Sequence, residues 1–222
     1  RYAEWNHSRD RAHTHRAIKG QYPPRPTFKP YLALAVLGMG KRRPGQTIFD
    51  PGFFDFGGRR FRDDKVGGHG TVDMYRSIVE SCDTYYYILS NDMGIDAIAR
   101  SLAPFGFGSR TGIDLEGEST GILPSPEWKR KRFRKPEQQK WYAGETISIG
   151  IGQGYNSYTP MQLAQAMANI ANNGVVHKPH LVNFIDNQRT NTRRTIEPEV
   201  SNRTVFKPEN IEFIKKAMAG VN

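Results

Sequence analysis

The stretch that decides the fold is YPPRPTFKPYLALAVLGMG, residues 22–40. The apolar run in it predicts a buried helix over residues 27–37, which two glycines then end. Lys29 stands at the mouth of this helix, one turn beyond Pro26. Because a charged amine at the start of an apolar helix needs a partner, we expect polar groups from another part of the chain to face Lys29.

The composition is that of one large globular domain with a core of its own. Of the 222 residues, 37% are hydrophobic and 24% are charged, which excludes a disordered chain. No apolar run reaches the roughly 20 residues that span a bilayer, and the first residues lack the apolar centre of a signal peptide. We expect residues 1–222 to be part of a longer protein and residues 1–15 to be a polar segment without assignable structure. Three histidines of that segment are predicted to be solvated and not metal ligands: His7, His13 and His15.

The net charge of +10 favours an anionic partner, which could be nucleic acid, lipid headgroups or a polyanionic wall. Its densest cluster is KRKRFRKPEQQK, residues 129–140, for which we predict a solvated surface loop. The only cysteine is Cys82, so no disulfide can form within the chain. Three roles remain open for its thiol: an inert buried group, a nucleophile or a metal ligand.

Helical patterns alternate with glycine-rich connections, and no strand–helix repeat is seen. Helices are predicted over residues 71–82, 84–94, 95–106, 159–174 and 208–220, a long loop over 41–70, and short extended pieces over 111–117 and 180–185. At the start of the helix predicted over residues 159–174, Thr159 and Gln162 form a capping box. The order favours an α+β architecture. Residues 145–154 alternate weakly and end in GIGQG, whose spacing differs from that of a dinucleotide-binding loop.

Two short stretches carry the candidate chemistry: Pro26-Thr27-Phe28-Lys29 and Ser81-Cys82-Asp83. Serine acyl-transferring enzymes of the penicillin-binding class open a helix with Ser-x-x-Lys, because that spacing puts hydroxyl and amine on one face. A neutral amine can then take the hydroxyl proton. A Ser-x-Asn or Ser-x-Asp element across the cleft relays protons, and Lys-Thr-Gly or Lys-Ser-Gly lines the substrate from an edge strand.

These motifs lie within a longer series of matching segments. In chain order the segments are YPPRPTFKP, ALAVLGMGKR, TIFDPGFFDFGG, FRDDKVGGHG, SIVESCDTYYY, MGIDAIA, FGFGSRTGIDLEGESTGILPSPEWK, ETISIGIGQGY and TPMQLAQAMANIANNG. Together they strongly resemble the penicillin-binding protein 2 family, the class B transpeptidases of cell elongation in Gram-negative bacteria. The resemblance runs from about Arg16 to the last residue. It implies the fold shared by penicillin-binding proteins and serine β-lactamases, as a helical lobe with part of an antiparallel sheet, incomplete at both ends.

The resemblance implies a function as well as a fold. The family is a set of peptidoglycan D,D-transpeptidases that cross-link stem peptides at the periplasmic face of the inner membrane. Their serine attacks the D-Ala-D-Ala bond, D-alanine leaves, and an amine of a neighbouring stem resolves the acyl-enzyme; β-lactams trap the same serine. Lys29 matches the family's general base, and Ser81 and Asp83 match its second motif. The implied partners are stem peptides and the glycosyltransferase and scaffold proteins of cell elongation. The resemblance implies no nucleic-acid partner. It implies contact with the membrane only through an anchor, which is absent from these residues.

The chain departs from the family at the nucleophile. Where the family has Gly-Ser before Thr-Phe-Lys, this sequence has Arg25-Pro26, so no oxygen stands three residues before Lys29. Thr27 is offset by two residues and points elsewhere on the helix. No Lys-Thr-Gly or Lys-Ser-Gly triplet occurs either. We therefore expect this chain to be inactive in acyl transfer, with a non-catalytic module that binds anionic wall polymers as the alternative, and a nucleic-acid binder supported only by charge.

Four residues around the long loop form a second candidate site. Asp50, Asp63, His69 and Cys82 supply two carboxylates, an imidazole and a thiolate, which is a sound ligand set for zinc. The alternative is that the two aspartates are turn residues and the cysteine a small core residue. Some proteins that this chain resembles carry zinc at the matching positions. We expect a structural Zn²⁺ that ties the loop to the second motif.

Overall fold

The computed structural model describes residues 14–221. Its α-helices are α1 Arg16–Lys19, α2 Lys29–Gly38, α3 Met74–Val79, α4 Asp83–Met93, α5 Ile95–Leu102, α6 Pro126–Arg132, α7 Pro136–Gln139, α8 Ala143–Gly150, α9 Pro160–Ala171 and α10 Pro208–Ala219. Single 3-10 turns cover Arg25–Phe28 and Ala103–Phe105. The strands are β1 Ile48–Asp50, β2 Phe53–Phe56, β3 Arg59–Arg62, β4 Gly70–Val72, β5 Val175–His177, β6 Phe184–Asn187, β7 Thr192–Thr195 and β8 Val200–Arg203.

Helix α2 lies at the centre of the core. Its apolar positions are buried along nearly the whole helix, and it contacts α3, α4, α5 and α10. Tyr31 packs edge-on against Phe105 and Phe107, with ring centroids 5.1 Å away in both pairs. A helix that is apolar all round belongs in the middle of a bundle, so Lys29 at its first position is the exception that needs explaining.

The described strands pair two by two and are all antiparallel. β1 pairs with β4, β2 with β3, β5 with β8, and β6 with β7. The first two pairs lie inside residues 41–72, where the sequence predicts a loop followed directly by a helix. That prediction is wrong in this respect, because strands of three or four residues are too short to show a period. Helix α3 begins only at Met74, where the Asp73 side chain accepts a hydrogen bond from the Arg76 amide at 2.8 Å.

Two of the short extended pieces also need correction. Residues 111–117 form no strand. Instead, the buried Glu118 carboxylate accepts hydrogen bonds from the Thr111 amide at 2.7 Å and the Gly112 amide at 3.1 Å. Within 180–185 only the last two residues belong to a strand. Most of the weakly alternating segment 145–154 is helical, since it continues α8 to Gly150.

The helix predictions are confirmed in place for the long, strongly patterned segments. α4, α5, α9 and α10 all fall inside the predicted ranges, apart from Asp83, which opens α4. The capping box of α9 is present, because Thr159 Oγ1 accepts from the Gln162 amide at 3.1 Å and Gln162 Oε1 accepts from the Thr159 amide at 2.9 Å. The fold is therefore α+β with a helical lobe and small antiparallel sheets.

The basic cluster 129–140 is not a simple solvated loop. Its first four residues end helix α6, and residues 136–139 form α7. Lys129 is only 3% exposed, because its amine donates to Glu145 Oε1 at 2.5 Å and to the Lys140 carbonyl at 2.7 Å. The other cations of the cluster are exposed as predicted.

The described residues contain no helix long and apolar enough to cross a membrane. His15 is exposed, in agreement with a solvated segment. His7 and His13 lie outside the described residues, as does most of the segment 1–15.

Candidate functional site

The turn that opens α2 is fixed by an aromatic anchor. Phe28 is fully buried, and its ring lies 5.7 Å from that of Phe107 and 6.3 Å from that of Tyr158. Pro26 stands in the 3-10 turn and Pro30 in the first turn of α2, where a missing N–H is tolerated. The sequence thus places Lys29 on a rigid support at the start of a buried helix.

Lys29 meets both polar residues of the second motif. Its side-chain nitrogen lies 2.6 Å from Asp83 Oδ1, 3.0 Å from Ser81 Oγ and 2.5 Å from the Ser81 carbonyl. An ammonium group has three donors, and these three acceptors use all of them. The amine also lies 5.5 Å from the Tyr86 ring centroid. The structure therefore brings together Lys29, Ser81 and Asp83, which the sequence analysis singled out from motifs more than fifty residues apart.

Ser81 reaches Lys29 through an unusual backbone conformation. Its φ is +57°, in the left-handed region, which costs a residue with a Cβ about 1–2 kcal/mol. The amide of Ser81 donates to the Ile78 carbonyl at 3.3 Å, and that of Cys82 to the Ser77 carbonyl at 3.0 Å. This tight end of α3 turns both oxygens of Ser81 toward the amine. Strain of this kind is concentrated at functional sites.

Asp83 combines burial with a cationic neighbour. Burial raises the pKa of its carboxyl above the ordinary value, and the ammonium of Lys29 offsets only part of that rise. As the first residue of α4, the carboxylate also lies at the positive end of a helix dipole. The result is an acid beside a lysine and a serine hydroxyl, which is an arrangement that can hold and pass a proton.

The turn before Lys29 offers no hydroxyl to this group. Pro26 has no side-chain donor or acceptor, and Thr27 Oγ1 donates backward to the Pro24 carbonyl at 2.6 Å. Sequence reasoning excluded Thr27 on its spacing alone. The hydrogen bond to Pro24 supplies the structural reason.

A glycine of the GIGQG stretch supports the same turn from the other side. The Arg25 amide donates to the Gly152 carbonyl at 3.2 Å. A Cβ on Gly152 would lie 2.5 Å from the Arg25 carbonyl oxygen, and Gly152 has a φ of +70°. Both the space and the backbone conformation therefore require glycine.

The four predicted metal ligands form one buried cluster beside the second motif. One ligand atom from each of Asp50, Asp63, His69 and Cys82 lies within 4.8 Å of the other three. His69 Nδ1 lies 2.8 Å from Asp50 Oδ2, and Cys82 Sγ lies 3.5 Å from an oxygen of each aspartate. All four residues are 9% exposed or less. Two carboxylates, an imidazole and a thiol at these separations fit a tetrahedral divalent cation.

Backbone groups hold the two carboxylates of this cluster in place. Asp50 accepts from the amides of Gly52 and His69, at 2.7 and 2.8 Å, and Asp63 accepts from the Thr84 amide at 2.7 Å. Burial, followed by the two nearby carboxylates, raises the pKa of the Cys82 thiol. Thiolate formation there needs a cation to offset the negative charge.

Sequence reasoning missed Lys129, which joins the basic cluster to α8. Its amine lies 5.3–5.7 Å from the ring centroids of Trp141, Tyr142 and Tyr155, in addition to its pair with Glu145. The available signal was a charged run bounded by aromatic residues and followed by one glutamate. That pattern does not say which lysine of the run is buried.

Comparisons with known proteins identify the family to which this chain is similar. Residues 3–222 match the penicillin binding protein transpeptidase domain family. The peptidoglycan D,D-transpeptidase MrdA of Escherichia coli K12 is 46% identical over 169 residues, which are 75% of this chain and 26% of that protein. MrdA of Acinetobacter baumannii is 49% identical over 169 residues, 75% of this chain and 25% of the relative. The chain thus spans about a quarter of the length of these curated relatives.

Solved structures of similar proteins have the same fold. A crystal structure of Pseudomonas aeruginosa PBP2 in complex with WCK 5153 has a TM-score of 0.85 and 39% identity, and the match covers 98% of this chain and 46% of that one. PBP2 of Helicobacter pylori has a TM-score of 0.82 and 28% identity, over 99% of this chain and 38% of that one. With the family match over almost its entire length, the chain belongs to the penicillin-binding protein transpeptidase domain family.

Proposed function

We propose that this chain is part of a peptidoglycan D,D-transpeptidase of the cell-elongation type that, with its present sequence, does not form an acyl-enzyme. The observation that carries the proposal is the geometry around Lys29. The amine has both partners of the second motif within 3.0 Å, while the residue three positions earlier is Pro26. The proposed site of action is the periplasmic face of the Gram-negative inner membrane.

The missing oxygen stops the reaction at its first step. In the family reaction a serine oxygen bonds to the D-Ala-D-Ala carbonyl carbon, its proton passes to a base, and the D-alanine amine leaves with a proton. Lys29 is the proposed base, and Ser81 with Asp83 is the proposed proton relay. With Pro26 in place of the serine, a stem peptide can bind beside this group and dissociate uncleaved. β-Lactams, which mimic that peptide, are then expected to bind reversibly without forming a covalent bond.

The proposed partners come from similar proteins. One Helicobacter pylori structure is a complex between PBP2 and MreC. Another similar structure, 28% identical with a TM-score of 0.81, concerns the coordination of polymerization and crosslinking by a peptidoglycan synthase complex. We propose that the longer protein meets a scaffold protein and a glycosyltransferase in the same way.

We also propose that Asp50, Asp63, His69 and Cys82 hold a structural zinc ion. All four positions of a tetrahedral ion would be filled by protein, so the ion would supply rigidity and no activated water. The supporting observation is that all four ligand atoms already lie within 4.8 Å of one another in a buried place. The ion would connect strands β1 and β4 to the turn that presents Ser81.

Covalent labelling tests the proposed inactivity. The chain is incubated with benzylpenicillin, and its intact mass is measured against the untreated protein. We expect no adduct. An adduct that persists in Thr27→Val and is lost in Ser81→Ala would identify Ser81 as a nucleophile and would overturn the proposal.

A second candidate is a non-catalytic pseudoenzyme that binds wall polymers. It is favoured by the good packing of the altered turn, in which Phe28 is fully buried beside Pro26. The double variant Arg25→Gly, Pro26→Ser tests the second candidate. Because the sequence has no Lys-Thr-Gly or Lys-Ser-Gly triplet, we expect at most slow labelling of this variant. Rapid labelling would mean that the rest of the site is fully catalytic and would exclude the pseudoenzyme.

A further inference from the structure

Half of the net charge lies on one short segment of the surface. Residues 127–140 contain seven of the 32 lysines and arginines and two of the 22 acidic residues. We define the basic surface as the exposed cations of this segment, which are Arg130, Lys131, Arg132, Arg134, Lys135 and Lys140. Of these six cations, only Lys131 forms an ion pair with a described residue. Its amine lies 2.6 Å from Glu127 Oε1, and both side chains are exposed. Such a pair contributes little and is easily exchanged for another anion.

The backbone that carries these cations is held in a fixed place. Ser125 Oγ caps α6 by accepting from the Trp128 amide at 3.0 Å, and the Gln139 side chain donates to the Phe133 carbonyl at 2.9 Å. Beneath them, the buried Lys129 pairs with Glu145. The backbone that carries the exposed cations is therefore ordered. An ordered array loses less entropy on binding than a flexible basic tail does.

This ordered segment is connected to the transpeptidase site. The Tyr155 ring packs on Trp128 with centroids 5.1 Å apart, and its hydroxyl donates to Glu145 at 3.1 Å. Tyr155 follows the glycine stretch whose Gly152 contacts the turn at Arg25. Helix α8 joins the two places, and its eight residues span about 12 Å. The basic surface is therefore connected, through α8 and Gly152, to the turn that precedes Lys29.

The surface is built for a chain of carboxylates and not for bases or lipid. Three aromatic neighbours of this surface, Trp128, Phe133 and Trp141, are partly buried and pack against Tyr155. The exposed ring of Tyr142 lies beside Lys140, and one exposed ring is fewer than a row of successive stacked bases requires. Apart from Pro136, the exposed positions of residues 129–140 carry only charged or amide side chains, so the segment lacks the large apolar residues that enter a bilayer. Guanidinium groups match carboxylates through two parallel hydrogen bonds.

We infer that the basic surface is a docking site for peptidoglycan strands with uncrosslinked stem peptides, whose free carboxylates recur along the polymer. The choice of this polymer rests on the proposed function, since an uncrosslinked stem ends in the carboxylate of its terminal D-alanine. Docking needs no acyl-enzyme, so it is available to a chain with Pro26. It holds donor strands near the site independently of the residues that carry the chemistry.

The test is co-sedimentation of the 222-residue chain with purified peptidoglycan sacculi. We compare it with the triple variant Arg130→Glu, Arg132→Glu, Arg134→Glu. The matched control is Arg189→Glu, Arg194→Glu, Lys207→Glu, which makes the same change of net charge at exposed positions elsewhere. Thermal melting of all three proteins checks that each is folded. Anionic phospholipid vesicles and random-sequence duplex DNA are the competing probes.

We expect the chain to co-sediment with sacculi, with the bound fraction falling about fivefold as NaCl rises from about 50 mM to about 500 mM. The first variant should lose about tenfold in affinity, and the control less than about twofold. Equal losses in the two variants would overturn the docking site, as would tighter binding to vesicles or DNA than to sacculi. Penicillin labelling is measured separately, so failure here leaves the proposed function to be judged on its own test.

Discussion

At the scale of single residues, the turn before Lys29 has a backbone conformation that is typical of glycine. Arg25 has a φ of +51°, which suits glycine and strains any residue with a Cβ. It also precedes a proline, which pushes the residue before it toward extended conformations. The turn nevertheless closes, because Phe28 and Gly152 hold it from both sides. The packing around the turn thus accommodates a residue with a strained backbone at position 25.

The strain at Arg25 gives the first prediction. Arg25→Gly should relieve about 1–2 kcal/mol of backbone strain and lose part of that gain to the greater freedom of glycine in the unfolded chain. We expect a net stabilisation of about 0.5–1 kcal/mol, seen as a melting temperature raised by about 2–3 °C. Arg25→Ala is the control, since it removes the same charge and keeps the Cβ. Equal stabilisation by alanine would contradict the assignment to strain.

The Lys29–Asp83 pair gives a prediction about pH. Lys29→Met should destabilise the protein by about 2 kcal/mol near neutral pH, because it leaves Asp83 charged and partly buried without its partner. Burial already raises the pKa of Asp83 above 3.8, and Lys29 opposes that rise. A raised carboxyl pKa favours the folded state at low pH and loses that contribution as pH rises through the folded-state value. The destabilisation should therefore shrink as pH falls toward 3.8.

Urea unfolding of both proteins at a series of pH values, in the same zinc concentration, measures this difference. Lys29→Met combined with Asp83→Asn is the matched control and should show no such pH dependence. A destabilisation by Lys29→Met that stays constant with pH would mean that Asp83 is not the group left unpaired.

At the scale of elements, the segment 41–72 is held by apolar side chains that pack on the core, such as Phe61 and Val72, and by polar side chains from its strand ends. Strands β1 to β4 have three or four residues each, and isolated two-stranded pairs of this kind are marginal in water. Asp50 ends β1, Asp63 follows β3, and His69 precedes β4. Their convergence on Cys82 joins both strand pairs to the start of α4. The stability of this element should depend on what the four side chains bind.

Removal of metal tests that dependence. We expect about one equivalent of zinc in protein purified without chelator, and a lower melting temperature when chelator is added, because metal-binding free energy is part of the folding free energy. Cys82→Ser should lower the melting temperature in the same way and become insensitive to chelator. Ser77→Ala, another buried position near the motif, is the control and should keep its response to chelator. Less than about a tenth of an equivalent of zinc, with unchanged melting in chelator, would exclude a structural metal.

At the scale of the whole molecule, the sequence predicts what spacing and chemistry determine and misses what distant contacts determine. The sequence could group Lys29 with Ser81 and Asp83 because each belongs to a motif. It could also predict the helix from Pro160 to Ala171, because the capping residues and the apolar period of that segment agree. The strands of residues 41–72 could not be found, because each is shorter than the pattern that reveals a strand. The burial of Lys129 depends on Glu145 and three aromatic rings, and no local pattern distinguishes it from its basic neighbours.

That buried lysine also determines how the basic segment is connected to the core. Lys129 is 3% exposed and lies 2.5 Å from Glu145, and Glu145 itself caps α8 by accepting from the Tyr142 amide at 2.9 Å. One ion pair therefore links α6, the start of α8 and, through Tyr155, the glycine stretch beside Arg25. Loss of this ion pair should increase local unfolding in this region before it affects the rest of the fold.

Lys129→Met gives the corresponding prediction. Removing one partner of a largely buried pair should cost about 2 kcal/mol, less than for a fully buried pair, because Glu145 keeps some contact with water. Hydrogen exchange should speed up in residues 125–155 and stay unchanged in α10. Lys129→Met with Glu145→Gln should recover part of the loss, since glutamine can still cap α8 and no longer carries a charge. Lys131→Met is the matched control, because its amine is exposed and its pair with Glu127 contributes little. Equal exchange rates in the Lys129 and Lys131 variants would show that the buried pair does not connect the segment to the core.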